Sequence, residues 1–240
     1  MSKNNECFSL QKIRLSSFTG CQCGGPFPSP FSAPRIIGGQ VVAQNSIPYQ
    51  VALVRTTGSL FCGGSLISPN YVLTAAHCVL GPTKSPDSFV AVVGLFNLSQ
   101  SISRSNIFNI SSILPHPQYD VVNASLGMID HDYAILGLST PVAISSFNGA
   151  VGLVCLPPFD GSLYDGATLI VSGWGYTTCN PPLSVVLKAT TLTGITWQVC
   201  NITDSTDVFC AIDPTAQSMP FSGDSGGDFL TFIEHLTIIK

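Results

Sequence analysis

Apolar residues in this chain occur in short alternating segments bounded by turn-forming residues, a pattern that favours β-strands over helices. Five such segments are rich in Val, Ile and Phe: Tyr49 to Arg55, Phe89 to Leu95, Ile107 to Leu114, Asp132 to Leu138 and Thr168 to Ser172. No window has a convincing helical period, apart from a single turn around His77. We therefore predict an all-β fold, for which 240 residues suit one large domain or two small barrels.

Charge and cysteine content narrow the partners and the compartment. The net charge of −4 gives no reason to expect a nucleic acid partner, and we predict no membrane span because no long apolar run is present. Nine cysteines indicate a secreted, extracellular protein, and four N-glycosylation sequons agree: Asn97, Asn109, Asn123 and Asn201. Residues 1–20 lack the apolar core of a signal peptide, so we expect a missing start or an internal piece of a longer precursor.

A glycine-flanked serine predicts a nucleophile in the sequence Gly223-Asp224-Ser225-Gly226-Gly227. Glycine after Ser225 lets a substrate carbonyl approach closely, and the backbone N–H groups of Gly223 and Ser225 would then form an oxyanion hole. Taken alone, the motif is also compatible with an ordinary glycine-rich loop. Its interpretation therefore depends on a base and a carboxylate elsewhere in the chain.

His77 and Asp132 are the candidate base and carboxylate. His77 follows the apolar run Tyr71 to Ala76 and precedes a cysteine, which places the imidazole on a short turn after a strand. Asp132 opens an apolar strand, where we expect it to be partly buried and to need a partner such as a histidine N–H. Asp130 and His131 compete for these roles, but no apolar strand follows either directly, and we interpret both as surface loop residues.

The order His77, Asp132, Ser225 resembles the chymotrypsin and trypsin family of serine endopeptidases, in which these residues form a catalytic triad. Further matching segments run in the family's order: Arg35 to Gly39, Pro48 to Val51, Phe61 to Ile67, Val154 to Pro157 and Val171 to Gly175. The resemblance implies two antiparallel Greek-key β-barrels, the first over about residues 41–140 and the second over about residues 150–240. Residues 1–35 are then a propeptide or linker, and residues 36–240 are the protease domain.

The resemblance also implies disulfide pairings. Cys62 and Cys78 match the bridge that ties the histidine loop to a neighbouring strand, and Cys200 and Cys210 match a bridge in the second barrel. Both pairings imply an oxidising compartment, in agreement with the cysteine count.

A third bridge would tether the propeptide. Cys155 matches the cysteine that performs this role in the family, and its partner here is Cys21 or Cys23. The partners of Cys7, of Cys179 and of the remaining member of the Cys21 and Cys23 pair are unassigned. Because nine is an odd number, at least one thiol has no partner within the chain.

Arg35 and Ile36 resemble an activation site. Cleavage after Arg35 frees an α-amino group on Ile36, which in the family pairs with the aspartate before the nucleophile, here Asp224, and orders the oxyanion hole. This reading predicts a zymogen and an activating protease. The alternative is an ordinary Arg–Ile bond at the end of an exposed proline-rich linker, Pro26 to Pro34.

The specificity pocket departs from the trypsin pattern. Met219 occupies the position that lines the floor of the primary pocket, where trypsins carry an aspartate. A thioether cannot pair with Lys or Arg, so trypsin-like specificity is not supported. Phe221 stands where the family has a cysteine, so the bridge of the pocket is absent.

The last residues depart furthest from the family. Asp228 replaces a proline, and Phe229 to Lys240 supply one or two strands at most, so we expect an incomplete second barrel. This leaves two hypotheses: an active serine endopeptidase, or a non-catalytic protease-like protein or binding module. A lipase or esterase fits less well, because the order of the triad residues and the strand pattern differ from that fold.

We expect no cofactor or metal. The triad mechanism requires none, and residues 94–105, where some family members bind calcium, contain no carboxylate. The expected partners are a protein or peptide substrate, an activating protease and serine protease inhibitors.

Overall fold

The computed structural model describes residue 23 and residues 40–81, 85–120, 131–156, 166–175, 183–195, 210–213, 224–226, 228–231 and 236–238. Within these residues the chain is mostly strand, with one helical turn and three 3₁₀ turns. The strands are β1 (Gln40–Val41), β2 (Gln50–Arg55), β3 (Leu60–Ser68), β4 (Tyr71–Thr74), β5 (Phe89–Val93), β6 (Ile107–Pro115), β7 (Ala134–Leu138), β8 (Thr168–Gly173), β9 (Lys188–Ile195), β10 (Cys210–Ile212), β11 (Asp228–Thr231) and β12 (Leu236–Ile238). The helical turn is α1 (Ala76–Val79), and the 3₁₀ turns are Pro86–Ser88, Arg104–Asn106 and Ile144–Phe147.

Strands β2 to β7 close into a six-stranded antiparallel barrel in the order β2-β3-β4-β7-β6-β5. The alternation along β2 explains how it contributes: Val51 and Leu53 point into the barrel core, while Ala52 packs on the outer face. Side chains from the other strands, including Leu66 and Leu136, fill the interior. This barrel confirms the prediction of an all-β fold.

The remaining strands form a second antiparallel sheet in the order β1-β9-β8-β11-β12, and β10 also pairs with β9. Leu169, Val171 and Leu192 form its own small core. Strand β1 belongs to this sheet through the pairs Gln40 with Ala189 and Val41 with Lys188. These two residues therefore pair with the second sheet, and the domain boundaries stay predictions.

A second apolar core joins the barrel to this sheet. Tyr49 and Ala52 contribute from the barrel side, and Ile170 and Trp174 contribute from the sheet side. Trp174 is 1% exposed, and its indole N–H donates to the carbonyl oxygen of Phe96 at 3.1 Å. The largest fully buried side chain among the described residues is therefore also hydrogen-bonded, as a buried indole requires.

One buried polar contact joins the same two units. The Ser172 hydroxyl on β8 donates to the Gln50 side-chain oxygen on β2 at 2.7 Å. Both residues are buried, so water does not compete for this bond, and it holds the sheet in position against the barrel. Among the described helices, none has the length and apolar character needed to cross a membrane.

Candidate active site

His77 lies on a single helical turn directly after β4, as predicted. Strand β4 ends at Thr74, and the turn runs over Ala76–Val79. The Cys62–Cys78 disulfide ties this turn to β3. The side chain of His77 is 39% exposed, so one edge of the imidazole is accessible to a substrate.

Asp132 holds His77 through both carboxylate oxygens. Asp132 is 3% exposed and lies just before β7. Its Oδ1 accepts the backbone N–H of His77 at 2.8 Å, and its Oδ2 lies 2.7 Å from the His77 Nδ1. Because a carboxylate oxygen can only accept, Nδ1 carries the proton of this bond, and Nε2 of the neutral ring carries the lone pair. The pair therefore has the geometry that a general base needs.

The pKa of a half-buried tyrosine, Tyr119, is affected by the same carboxylate. Burial raises the pKa of Tyr119 above its ordinary value of 10.0, and the negative charge of Asp132 raises it further. The phenol therefore stays neutral beside the charged aspartate. No sequence motif marks Tyr119 as a neighbour of Asp132, so its place at the site was not predictable.

Ser225 lies against the disulfide next to His77. Its carbonyl oxygen accepts the backbone N–H of Gly63 on β3 at 2.8 Å. The Sγ atom of Cys78 lies 3.6 Å from that carbonyl oxygen and 3.6 Å from the His77 Nε2. These are contacts, because a disulfide sulfur has no proton to donate. The structure thus brings the Ser225 backbone and the His77 imidazole to the same sulfur, although Cys78 and Ser225 are 147 residues apart in the sequence.

Glycine is required at position 226 for two reasons. Its φ angle is +76°, which favours glycine. A Cβ atom there would lie 2.7 Å from the carbonyl oxygen of Gly63, 3.1 Å from the backbone nitrogen of Ala75 and in contact with the Thr74 hydroxyl. The residue after Ser225 is therefore packed against β3 and β4, which fixes the backbone of the serine.

Asp224 is buried in a cradle of two glycines. Its Oδ1 accepts the backbone N–H of Gly175 at 2.6 Å, and the residue is 2% exposed. A Cβ atom on Gly173 or on Gly175 would collide with the carboxylate. The glycines of the segment Val171 to Gly175 are thus explained by the space that Asp224 occupies.

Several predicted site residues lie outside the described residues. They comprise one oxyanion donor, the activation bond, the pocket residue and one cysteine: Gly223, Arg35, Ile36, Met219 and Cys200. Their roles stay predictions.

Two disulfides that the resemblance implied are present. Besides Cys62–Cys78, the structure contains Cys23–Cys155, which selects Cys23 over Cys21 as the partner of Cys155. Cys210 is disulfide-bonded. Its predicted partner, Cys200, lies outside the described residues, so this pairing stays a prediction. Cys7, Cys21 and Cys179 also lie outside them.

One group of potential metal ligands occurs at the site. The side chains of Cys62, His77 and Cys78 have ligand atoms within 4.8 Å of one another. The two sulfurs are bonded to each other, and zinc binds thiolates. The proximity of these atoms therefore follows from the disulfide and the histidine turn, and it does not define a metal site.

His131 differs from the surface loop residue that we predicted. It is half-buried, and its ring stacks on His116 with ring centroids 4.6 Å apart. Its φ angle is +56°, a left-handed conformation that the sequence pattern does not reveal. Asp130 lies outside the described residues.

The chain combines a closed antiparallel barrel with a second antiparallel sheet packed on it. At the site, a buried carboxylate holds an imidazole near the backbone of a serine. Together these features define a chymotrypsin-like serine hydrolase fold. The Trypsin family model matches residues 36–231. The chain belongs to this family of serine endopeptidases, and by family it is an enzyme that cleaves proteins.

Individual relatives agree with this assignment. Chymotrypsin-like elastase family member 1 of Macaca fascicularis is 32% identical over 207 residues, which cover 82% of this chain and 74% of that protein. Serine protease SP24D of Anopheles gambiae is 34% identical over 212 residues, 87% of this chain and 70% of that protein. Venom serine protease 34 of Apis mellifera is 32% identical over 190 residues, 78% of this chain and 44% of that protein.

Proposed function

We propose that this chain is a secreted zymogen that, once cleaved after Arg35, hydrolyses peptide bonds with Ser225 as nucleophile, His77 as general base and Asp132 as orienting carboxylate. The observation that carries the proposal is the hydrogen-bonded pair of His77 and Asp132, with the Nδ1 to Oδ2 distance of 2.7 Å. The contact of one sulfur with both the His77 Nε2 and the Ser225 carbonyl oxygen supports Ser225 as the nucleophile.

The reaction begins with attack of the Ser225 hydroxyl on the carbonyl carbon of the scissile bond. His77 takes the hydroxyl proton on Nε2, and the imidazolium then protonates the leaving amine as the acyl-enzyme forms. Water repeats the sequence to release the acid product. Asp132 remains ionised throughout, and its Oδ2 stabilises the imidazolium that forms at each step.

The oxyanion hole consists of the backbone N–H groups of Gly223 and Ser225 in this proposal. The support on the Ser225 side is its fixed backbone, since the Gly63 N–H binds its carbonyl oxygen and Gly226 is packed against β3 and β4. Donors that are held in place before the reaction stabilise the developing negative charge without a reorganisation cost.

Activation acts through Asp224. Cleavage after Arg35 frees the α-ammonium group of Ile36, and this cation pairs with the Asp224 carboxylate. The support is that Asp224 is buried next to the nucleophile, where a carboxylate needs strong partners. The Cys23–Cys155 disulfide keeps the cleaved propeptide attached to the protease domain.

Substrate choice is assigned to Met219 as a residue of the primary pocket. An uncharged thioether favours substrates without Lys or Arg before the scissile bond, in contrast to trypsins. The proposed partners are protein or peptide substrates, an activating protease and serine protease inhibitors that present such a bond.

Secretion and glycosylation complete the proposal. Disulfides persist in oxidising compartments, and the described residues contain two complete ones. Two sequons lie among the described residues: Asn109 is exposed on β6, and Asn97 is half-buried and forms an isolated β-bridge with Val186. Asn109 is therefore the more accessible glycan acceptor. One relative is named as a venom protease, in agreement with an extracellular role.

Hydrolysis of casein and of a peptide library by the intact and the cleaved chain tests this function, with products identified by mass spectrometry. We expect hydrolysis only after cleavage at Arg35, with no basic preference before the scissile bond, and none in the Ser225→Ala variant.

Two variants separate the parts of the proposal. Activity that persists in Ser225→Ala would exclude Ser225 as the nucleophile. Full activity of intact, unprocessed Arg35→Gln protein would exclude the zymogen.

A further inference from the structure

We propose that His116 is a positioning residue for the catalytic carboxylate, because the rings of the two residues that flank Asp132 both pack against its ring. The inference rests on the proposed role of Asp132 in the triad. We call the three side chains of His116, His131 and Tyr133 the ring clamp. His131 was set aside above as a candidate for the triad, and no sequence motif assigns a role to His116.

The His116 ring is held in a fixed orientation. His116 directly follows β6, and its carbonyl oxygen accepts the Tyr119 N–H at 3.0 Å in a turn. Its Nδ1 accepts the backbone N–H of Gln118 at 3.3 Å. The backbone and the ring are thus both bonded to the residues that follow, and the ring is a rigid base for the other two.

His131 and Tyr133, the residues before and after Asp132 in the sequence, both contact the His116 ring. The ring centroids of His116 and His131 are 4.6 Å apart with planes at 30°, and those of His116 and Tyr133 are 4.6 Å apart with planes at 46°. Both separations lie in the range of favourable ring pairs. The residues on both sides of Asp132 are therefore held in place by their contacts with the His116 ring.

The backbone at Asp132 is bent, and the ring clamp is suited to hold the bend. The Tyr133 N–H donates to the His131 carbonyl oxygen at 2.8 Å, which closes a turn around Asp132. The His116 N–H donates to the Tyr133 carbonyl oxygen at 2.9 Å. His131 has a φ angle of +56°, a conformation that persists in a residue other than glycine only where its surroundings hold it.

The direction of the Asp132 carboxylate follows from this bend. Its oxygens lie 2.8 Å and 2.7 Å from two different nitrogens of His77, so a small rotation of the backbone weakens both hydrogen bonds together. A misplacement of about 1 Å in a catalytic group lowers the rate by up to about 100-fold. Loss of the ring clamp therefore affects kcat through Asp132, although none of its rings takes part in the reaction.

The test compares two replacements of His116 in the activated protein. His116→Ala removes the ring, and His116→Phe keeps a ring of similar width without its nitrogens. Phe61→Ala is the matched control, because it removes a ring from another aromatic pair of the same barrel, Phe61 with Phe89 at 5.5 Å. Each variant is measured by kcat and KM and by the proton NMR resonance of the His77 Nδ1–H, which reports on its bond to Asp132 without turnover.

We expect His116→Ala to lower kcat about 10-fold or more, with KM changed less than about twofold. Its Nδ1–H resonance shifts or broadens, and His116→Phe restores both readouts towards wild type. Phe61→Ala lowers the melting temperature but keeps the wild-type kcat and resonance.

The proposal is overturned if His116→Ala keeps the wild-type kcat and resonance, or if His116→Phe is as impaired as His116→Ala. If His116→Ala does not fold, Tyr133→Leu and His131→Asn remove the other rings and carry the same expectations. If the wild type shows no Ser225-dependent hydrolysis, the proposed function fails, while the Nδ1–H resonance still decides whether the ring clamp positions Asp132.

Discussion

Replacing Asp132 by asparagine changes the proton of His77 while it preserves the shape of the site. The amide oxygen still accepts the His77 backbone N–H, which can only donate. The amide nitrogen then faces Nδ1 and donates to it, so the ring proton moves to Nε2. A neutral imidazole with its proton on Nε2 cannot accept the proton of Ser225.

The structure predicts a large effect. The Asp132 side chain is 2% exposed, so water does not compete for the bond that fixes the tautomer. We expect kcat to fall about 10⁴-fold, the loss associated with the wrong tautomer in a Ser-His-Asp triad. At about 1.4 kcal/mol for each tenfold change, this corresponds to about 5.6 kcal/mol of lost transition-state stabilisation.

The assay measures kcat of activated wild type, Asp132→Asn and Asp87→Asn with one peptide substrate, together with each melting temperature. Asp87 is exposed in a 3₁₀ turn, so its variant removes the same charge without touching the site. We expect Asp87→Asn to behave as wild type. A loss below about 10-fold in folded Asp132→Asn would refute the tautomer argument, because a wrong tautomer costs orders of magnitude more.

Three further predictions concern the frame of the site. Gly226→Ala adds a side chain at a φ angle of +76° against a backbone oxygen. It should abolish covalent labelling of Ser225 by a fluorophosphonate probe, and it should lower the free energy of unfolding by at least about 1 kcal/mol in urea melts. Joint replacement of Cys62 and Cys78 by alanine opens a bridge of sequence separation 16, and urea melts should show a loss of about 3 kcal/mol. The raised pKa of Tyr119 means that folding favours its neutral form, so this contribution to stability is present below the ordinary pKa of 10.0 and is lost as the pH rises through the higher folded value. The melting temperature of wild type should therefore fall relative to that of Tyr119→Phe as the pH rises above 10.0, and parallel curves would contradict the assignment.

Strands with a clear alternation were predictable from the sequence. The segment from Ile107 became β6, in which buried residues alternate with exposed ones over the first half of the strand. The segment from Phe89 became β5, whose apolar residues pack in the barrel core on one face and in the second apolar core on the other. Strand β3 (Leu60–Ser68) was matched to the family but not predicted as a strand from its pattern. It is buried along most of its length and contains Gly63 and Gly64, so it shows no alternation. Packing on both faces stabilises this strand, and the residues that pack on it cannot be identified from the local sequence.

The candidate site shows the same division. A short turn at His77 and a carboxylate at Asp132 carry local signals, because an ionised group before an apolar strand needs a partner. The cradle of Asp224 and the ring clamp join residues that are distant in sequence, and no local pattern predicts such contacts. His131 was interpreted as a surface residue for this reason, since its neighbour His116 lies on the preceding strand's end.

Labelling by a fluorophosphonate probe tests the central claim, a reactive Ser225 activated by His77 and Asp132, most directly. The probe is applied to purified protein cleaved after Arg35, with Ser225→Ala treated in parallel. We expect covalent labelling of the wild type at Ser225 and none in the variant. Absence of labelling in soluble, correctly cleaved protein would contradict it and would favour a non-catalytic protease-like protein.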